Sequence, residues 1–588
     1  MIKSVLNGFF CTVFLVQTSL PAFAGGLTPD GAAAPGNRPE IIAAPNGVPV
    51  QNIVTPNAQG LSHNKFTDFN VGKNGLILNN SKGVGQSNLG GYIVGNPNLQ
   101  GSGPASVILN EVTSSNRSLL QGATELHGGQ ADYILANPNG ITCNGCGFIN
   151  IPRAALTTGV PQVDAGTLKG FSVDRGTVTI GADGVAAESV DYFDIVSRAV
   201  EINGKIHAGE NLGVFAGRND YDYANRSVAA KAGSASDKPE FAIDSSALGG
   251  MYAGRIKLIG TESGVGVRAP ESATAATGDF QITADGKLVL GGTVSARKTL
   301  RARSVNGSVD VQQNASLYGQ ETLILKAGGD IKVAKEATLG AGSQVELEAA
   351  GVDFDEAQLL AGMASGGTLA AGVGSIKVAT TGLADFSAAS HLQAGEAITF
   401  NVGALQQSGT VAADTYTVQA SNDVVLGSAS VASAIDVASS LGDVTVASGS
   451  VLYSGGDLAL SAAGRLTVAT AGEVNARDHV VLTAPVIDIS GGKVFAGVTG
   501  EGAAITDAGT LTLTASGSLN VAAGSRLQSG DLHGSPPAPG TSSARWRSAR
   551  WRLILAGSPS AVPGRRSRRG ISPAALPALQ RLPLPPRG

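Results

Sequence analysis

A short pattern recurs along the second half of the chain: a glycine followed by four residues, of which the second and fourth are apolar. It occupies residues 286–290, 307–311, 329–333, 374–378, 442–446, 464–468 and 517–521. Most of these starts are separated by about 22 residues or a small multiple of that length, the unit size of a solenoid repeat. The last spacing does not fit, and an insertion near residues 491–504 would account for it.

Apolar residues at every second position are typical of β-strands. A unit of this length cannot bury its own apolar face, so it must stack on its neighbours. The pattern lacks the Leu and Asn consensus of leucine-rich repeats and is half the length of a propeller blade. The sequence therefore predicts an all-β solenoid, a parallel β-helix.

The composition agrees with many short strands joined by tight turns. The chain has 81 Gly among 588 residues, roughly twice the average usage of about 7%. Glycine supplies the positive φ angles that tight turns need. Because 43% of the residues are hydrophobic, the chain has more apolar surface to bury than a disordered protein.

The net charge is unevenly distributed. The whole chain carries −4, and residues 535–588 contain ten Arg and no acidic residue, so the rest carries −14. An acidic body argues against nucleic acid as a partner, since phosphate binding requires clustered cations.

The N-terminus has the features of a signal peptide. Lys3 provides a positive start, residues 5–20 are mostly apolar, and Ala22, Phe23 and Ala24 form a small-x-small cleavage site. No later stretch reaches the roughly 18 apolar residues of a membrane span. We expect a mature chain that begins near Gly25 and leaves the cytoplasm without an anchor of its own.

Two turn motifs follow apolar runs. The first is Asn96, Pro97, Asn98 and Leu99, and the second is Asn137, Pro138, Asn139, Gly140 and Ile141. An Asn side chain can cap the start of a turn, Pro presets φ at the next position, and Asn or Gly tolerates the positions that follow.

This pair of motifs resembles the hallmark of the secretion domain of two-partner secretion exoproteins, the filamentous haemagglutinin-like family. The resemblance covers about residues 40–230 and extends to further segments, at 45–50, 62–66, 69–71, 75–80, 108–112, 204–208 and 217–219.

The resemblance implies a right-handed parallel β-helix with an N-terminal cap and extra-helical hairpins. It also implies a cognate outer-membrane transporter, a β-barrel with soluble periplasmic domains, through which the chain passes in an extended state before folding outside. On this basis both motifs are predicted secretion-signal residues. We expect their main role to be structural, because turn chemistry explains them without a partner.

Cys143 and Cys146 directly follow the second motif, and Cys11 lies in the predicted signal peptide. A redox site would need a helix N-terminus, and a zinc site would need further ligands. A local disulfide closing a glycine-containing turn is the interpretation that we favour, with the other two left open.

No residue pattern for catalysis, cofactor binding or metal binding is found. Acid/base catalysis would require paired carboxylates, and three acidic pairs lie close in sequence: Asp191 with Asp194, Asp220 with Asp222 and Asp353 with Asp355. We interpret the first two as turn or hairpin residues and the third as part of an irregular repeat. The six His do not cluster, and phosphate-binding and hydrolase motifs are absent.

Four regions are predicted: a signal peptide at 1–24, a secretion domain at 25–270, β-helical repeats at 271–534 and an Arg- and Pro-rich tail at 535–588. The tail is either a disordered basic segment or the product of a reading-frame shift that leaves the natural protein truncated. We favour the second interpretation.

The sequence thus predicts a secreted adhesin-like exoprotein, not an enzyme, at the cell surface or outside the cell. Host-cell or bacterial-surface receptors or glycans are expected as further partners. One alternative is the stalk of a contact-dependent toxin or cytolysin of the same secretion route. The other is a carbohydrate-active β-helix enzyme, which we regard as the weaker one.

Overall fold

The computed structural model describes residues 26–232, 237–245, 248–363, 370, 372–505, 508–529, 545–547 and 551–555. The predicted signal peptide and most of the predicted tail lie outside these residues. Within the described ranges the only helical elements are two short 3-10 helices, Pro35–Asn37 and Pro97–Leu99. None of the helical segments in these ranges has the length and hydropathy of a membrane span.

The chain winds into coils that each add one strand to three parallel faces, which confirms the predicted β-helix. The strands of face 1 are Leu61–Phe69, Val107–Val112, Asp132–Ala136, Arg153–Thr157, Tyr192–Ser197, Asn211–Ala216, Arg255–Gly260, Phe280–Ala284, Thr299–Ser304, Thr322–Ala327, Gln344–Ala349, Ser375–Thr380, Ala397–Val402, Asp457–Ala462 and Trp551–Leu555. The strands of face 2 are Ser118–Leu120, Ile141–Cys143, Thr177–Ile180, Ala199–Ile202, Phe241–Ser245, Gly266–Arg268, Leu288–Leu290, Val309–Val311, Ile331–Val333, Val352–Phe354, Leu383–Phe386, Val444–Val446 and Arg465–Val468.

Face 3 follows face 2 in each coil and leads into face 1 of the next. Its strands are Pro49–Asn52, Leu76–Asn80, Ala123–Gly128, Cys146–Ile149, Val185–Ala187, Lys205–Ala208, Gly250–Ala253, Ser272–Ala275, Thr293–Ala296, Ser316–Gly319, Thr338–Ala341, Gln358–Ala361, His391–Ala394, Val451–Ser454, Glu473–Ala476, Lys493–Ala496, Arg526–Ser529 and Arg545–Arg547. Four longer strands run around corners and serve more than one face: Ala404–Ala420, Val424–Ser439, His479–Ile489 and Thr510–Val521.

The N-terminal end of the helix is covered by antiparallel strands. Leu27–Pro29 pairs with Leu61–Phe69, and Glu40–Ala43 pairs with Pro49–Asn52. These strands occupy the hydrogen-bonding edge that the first coil would otherwise expose.

Two antiparallel sheets lie outside the coils, as the family resemblance predicted. The smaller pairs Gly85–Ser87 with Gly91–Ile93. The larger contains four strands: Val160–Asp164, Thr167–Val173, Asn219–Asp222 and Ser227–Ala230.

Side chains alternate between the interior and the outer surface along each strand. In Thr299–Ser304, Leu300 and Ala302 are buried and Arg301 and Arg303 are exposed. Stacking of the inward positions produces one continuous apolar core from the cap to Leu527. Its aromatic part is a column of Phe354, Phe386, Phe400 and Tyr416, with successive ring centroids 5.0, 5.5 and 5.9 Å apart.

The corner between faces 2 and 3 repeatedly contains a residue with positive φ. The φ angles there are 60° at Asn314, 61° at Glu336, 74° at Gly449 and 59° at Ala471. At each of these residues the backbone N–H donates to a carbonyl of the following coil. The corner thus keeps one conformation although its sequence varies.

Six of the seven glycine-led segments lie on face 2, but residues 374–378 fall on face 1, in Ser375–Thr380. Counting that segment as a unit of the same series was therefore wrong, because the motif marks entry into a strand and not one particular face. The irregular last spacing coincides with an excursion whose described part, residues 497–505, contains an antiparallel bridge between Val498 and Ala504.

Replacing Phe386 with Ala should lower the free energy of unfolding by about 3–5 kcal/mol, because it opens a cavity in the aromatic column. Urea unfolding of the full chain measures the change. The exposed Gln393→Ala control should stay within about 0.5 kcal/mol of wild type. Equal effects of the two substitutions would contradict the inward and outward assignment.

Candidate functional site: the secretion domain

The first Asn-Pro-Asn motif forms the 3-10 helix Pro97–Leu99, with Asn96 as its N-cap. The Asn96 side chain is fully buried, and its Nδ2 donates to the carbonyls of Ile53 and Asn79, both at 2.9 Å. Its Oδ1 accepts the backbone N–H of Asn98 at 2.9 Å. Leu99 is buried in the core. One Asn side chain therefore joins the turn to two earlier segments of the chain.

The second motif repeats this chemistry at another corner. Asn137 is fully buried, and its Nδ2 donates to the Asn116 carbonyl and to Ser118 Oγ, both at 2.9 Å. Its Oδ1 accepts the backbone N–H of Asn139 at 3.0 Å, and Asn139 Nδ2 donates to the Ser114 carbonyl at 2.7 Å.

The last two residues of the second motif lead the chain into face 2. Gly140 has a φ of 114°, a backbone conformation that residues with a side chain rarely adopt. A Cβ at this position would also lie only 2.8 Å from the Thr177 carbonyl oxygen, so both the backbone conformation and the available space require glycine. Ile141 is fully buried at the start of the next strand.

The structure does not bring the two motifs together. The first precedes face 1, the second lies between faces 1 and 2, and their side chains bond to different segments. In both motifs the first Asn is buried and the Pro is exposed or partly exposed. A secretion role for these residues remains a prediction, and their contacts are those of architectural residues.

Further buried amides, to which the sequence analysis assigned no role, hold the first coils. Asn80 Nδ2 donates to the carbonyls of Ala105 and Gly129 at 3.0 and 2.8 Å, and Asn80 Oδ1 accepts the Ala105 N–H at 2.7 Å. Asn79 Nδ2 donates to Asn52 Oδ1 at 2.8 Å. The available signal was two Asn at the end of an apolar strand, where solvent-exposed turn residues are the usual interpretation.

A buried carboxylate anchors the small extra-helical hairpin. Glu125 is 1% exposed; it accepts Ser87 Oγ–H at 2.7 Å and the backbone N–H groups of Asn88 and Leu89 at 2.7 and 2.8 Å. Three donors compensate the carboxylate for its lost hydration.

Cys143 and Cys146 are joined by a disulfide in the structure, with their Cα atoms 5.4 Å apart. Cys143 ends a face 2 strand and Cys146 begins the adjacent face 3 strand, so the bond spans the corner between the two faces.

The four-stranded sheet is docked on face 1 by a buried charge cluster. Asp194 is fully buried and accepts from Arg226 Nη2 at 2.6 Å and from the Tyr221 hydroxyl at 3.0 Å. Arg153 Nη2 lies 3.6 Å from the same carboxylate and donates to the Tyr223 carbonyl at 2.6 Å. An apolar layer that includes Phe171 and Phe215 packs beside this cluster.

The cluster also contains Asp132, which accepts the hydroxyl of Tyr223. Burial raises the pKa of Asp132, although the Tyr223 hydroxyl and the Arg153 guanidinium favour its charged form. The guanidinium of Arg153 lies 3.8 Å above the ring of Tyr223. Residues far apart in sequence thus fix the sheet through charge-assisted hydrogen bonds.

The interpretation of Asp194 as a turn or hairpin residue was therefore wrong. It lies within Tyr192–Ser197, where the covering sheet buries it against two arginines, while Asp191 precedes the strand. Its partners Arg153 and Arg226 were missed, because a lone Arg carries no local signal.

The other acidic pairs have ordinary environments. Asp220 and Asp222 are exposed on one hairpin strand, where Asp222 Oδ1 accepts the Asn225 N–H at 2.9 Å. Asp353 lies opposite Asp385 in the ladder instead of forming a pair with Asp355. Burial, and then the neighbouring Asp353, raise the pKa of Asp385. Among the described residues, no group of three or more potential ligands has metal-binding geometry.

Residues 26–290 match the family model described as the TPS secretion domain. The chain therefore belongs to the two-partner secretion exoproteins, as the motifs predicted. Such proteins are exported across the outer membrane to the cell surface or the extracellular space, which confirms the predicted localisation. The domain implies an outer-membrane transporter as partner and is not itself enzymatic.

The chain is similar to two curated nucleases over about half of its length. It is 45% identical over 328 residues to the 16S rRNA endonuclease CdiA of Enterobacter cloacae, covering 55% of this chain and 10% of that protein. It is 47% identical over 297 residues to the tRNA nuclease CdiA of Escherichia coli strain STEC_O31, covering 50% of this chain and 9% of the relative. The chain thus spans about a tenth of the length of these relatives.

Among solved structures, the crystal structure of the filamentous hemagglutinin secretion domain is 34% identical to the chain. The match covers 56% of this chain and 99% of that one, with a TM-score of 0.43.

Replacing Asn96 with Ala should lower the free energy of unfolding by about 2–4 kcal/mol, because the carbonyls of Ile53 and Asn79 each lose a buried donor and the Asn98 N–H loses its acceptor. Pro97→Ala, an exposed position in the same motif, is the matched control and should cost less than about 1 kcal/mol. Chemical unfolding of both variants provides the comparison. A fully stable Asn96→Ala variant would indicate that the motif contributes nothing to the fold.

Replacing Asp194 with Ala should loosen the four-stranded sheet, because the substitution leaves two arginines without their buried partner, a change that typically costs about 3–5 kcal/mol. Limited trypsin digestion should then cleave faster at Lys169 and Arg175, while sites in the coils keep their rates. The exposed Asp220→Ala is the control. Unchanged cleavage at both sites would refute the proposed role of the cluster.

Proposed function

We propose that the N-terminal domain directs export of the chain through a cognate outer-membrane transporter, and that the β-helix beyond it is the shaft of an adhesin-like exoprotein. The observation that carries the export role is the buried Asn framework of both motifs, within a region that matches the TPS secretion domain.

The fold is suited to a chain that emerges in an extended state and folds outside the cell. Strands of each coil pair with strands of adjacent coils, so structure can form as successive segments appear. The Nδ2 of Asn96 donates to residues that precede it, Ile53 and Asn79, and the Nδ2 of Asn137 donates to Asn116 and Ser118, while both Oδ1 atoms bond within their own motif. The first coils can therefore close before the shaft has left the transporter.

In this proposal the motifs act through the fold and not by direct contact with the transporter. Their Asn side chains are used internally, which leaves Pro97 as the most exposed residue of the first motif. The cap and the Asn-held corners then provide a stable start on which later coils stack.

A second candidate function is the stalk of a contact-dependent toxin. It is favoured by the names of the two relatives above, which are nucleases. The similarity to them lies in about 10% of their length, so a nuclease activity is not transferred to this chain. Adherence of coated beads to host cells and growth competition between bacterial strains distinguish the two functions.

Secretion should require the transporter and should be lost when Asn96 is replaced with Ala. The measurement is the amount of chain in the medium, with and without the transporter gene, and we expect a decrease of about tenfold or more for each change. Pro97→Ala should be secreted normally.

Phe386→Ala serves as a control for instability, since it weakens the shaft by a comparable amount but lies outside the secretion domain. It should still reach the medium. Release that depends on neither the transporter nor Asn96 would refute the export role. Equal loss with Phe386→Ala would attribute the defect to general instability.

A further inference from the structure

Face 3 has a surface recess along one row of outward-facing positions. Two stacked aromatic rings, those of His207 and Tyr252, close one end of this recess. The row runs through Gly147, Ala186, His207 and Tyr252, which occupy equivalent positions in successive coils. The rings of His207 and Tyr252 are nearly parallel, 15° apart, with centroids separated by 4.9 Å. That separation equals the spacing of strands in a sheet, about 4.8 Å.

The next position in this stack holds no ring. Ala186 is exposed and stands where a third ring would continue the series, and Gly147 follows it. Tyr252 covers one face of His207, and its hydroxyl is 2.9 Å from Ser272 Oγ. The other face of His207 therefore borders a recess of about 510 Å³ that Ala186 also lines.

Polar side chains surround this recess. Glu188, Asn203 and Lys205 line it, are exposed, and form no side-chain hydrogen bond within the described part of the chain. Asp183 also lines it and accepts from Asn144 Nδ2 at 2.8 Å. A carboxylate, an amide and an ammonium group offer both acceptors and donors to a ligand rich in hydroxyl groups.

We propose that this recess is a binding subsite for a pyranose sugar. The C–H face of the sugar ring stacks on the free face of His207, above Ala186, at the spacing of one coil. Its hydroxyl groups reach Glu188, Asn203 and Lys205. An apolar floor with a few convergent polar groups is the usual form of a small-ligand site. The inference deepens the proposed adhesin role and rests on it by naming the class of ligand.

The test uses the purified full chain and an array of defined pyranosides, followed by saturation-transfer-difference NMR with the best monosaccharide methyl glycoside. Binding should be detected, with saturation strongest on the C–H groups of one ring face. Ala186→Leu fills the place of the sugar ring and should weaken binding by about tenfold or more. Gln393→Leu, at an exposed position in the same row, should bind like wild type.

Substitutions of His207 test the stacking separately. His207→Ala should lose binding, whereas His207→Phe keeps a flat ring and should retain it. Circular dichroism of each variant should match wild type. Absence of pyranoside binding to the folded wild-type chain would overturn the proposal, as would binding that Ala186→Leu leaves unchanged.

Because binding is measured on purified protein, its failure is distinguishable from a failure of the export proposal. Loss of sugar binding with normal, transporter-dependent secretion contradicts only the subsite. Binding by a chain that is released without the transporter contradicts only the export role.

Discussion

The structure depends on one constraint: every strand of the coils must find its hydrogen-bonding partners in the coils before and after it. A single coil cannot bury its apolar face or satisfy its backbone. Stacking solves both problems, because it aligns inward residues such as Leu300 and Leu323 in one core and pairs their backbones in one ladder. The same constraint makes the first coil a special problem, since one of its edges has no preceding coil.

The N-terminal region resolves that problem with antiparallel strands and buried polar side chains. Leu27–Pro29 and Glu40–Ala43 cover the edge. Asn80, Asn96 and Asn137 then satisfy carbonyls at corners where the chain leaves the regular coil. Residues with positive φ shape the corner between faces 2 and 3 in both regions, as at Gly145, Asn314 and Gly449. The export domain is thus the part of the helix in which buried Asn side chains hold the turns.

The sequence was sufficient to predict the parallel β-helix, because alternation and repeat length are local signals. It also located both Asn-Pro-Asn turns, since Asn and Pro have definite turn chemistry. It could not locate the cluster of Asp194, Arg153 and Arg226, because those residues meet only when the extra-helical sheet folds back on face 1. The recess beside His207 was hidden for the same reason: Gly147, Ala186 and Tyr252 are neighbours only across coils.

The secretion motifs are elements of the folded coil and not exposed loops. Hydrogen exchange at the backbone amides of Asn98 and Asn139 tests this placement most directly, because each N–H is bonded to a buried Asn side chain. Both amides should exchange as slowly as those of the strand Leu76–Asn80. Exchange at the rate of an unprotected peptide, with that strand still protected, would contradict this placement and would make the motifs free for direct contact with a partner.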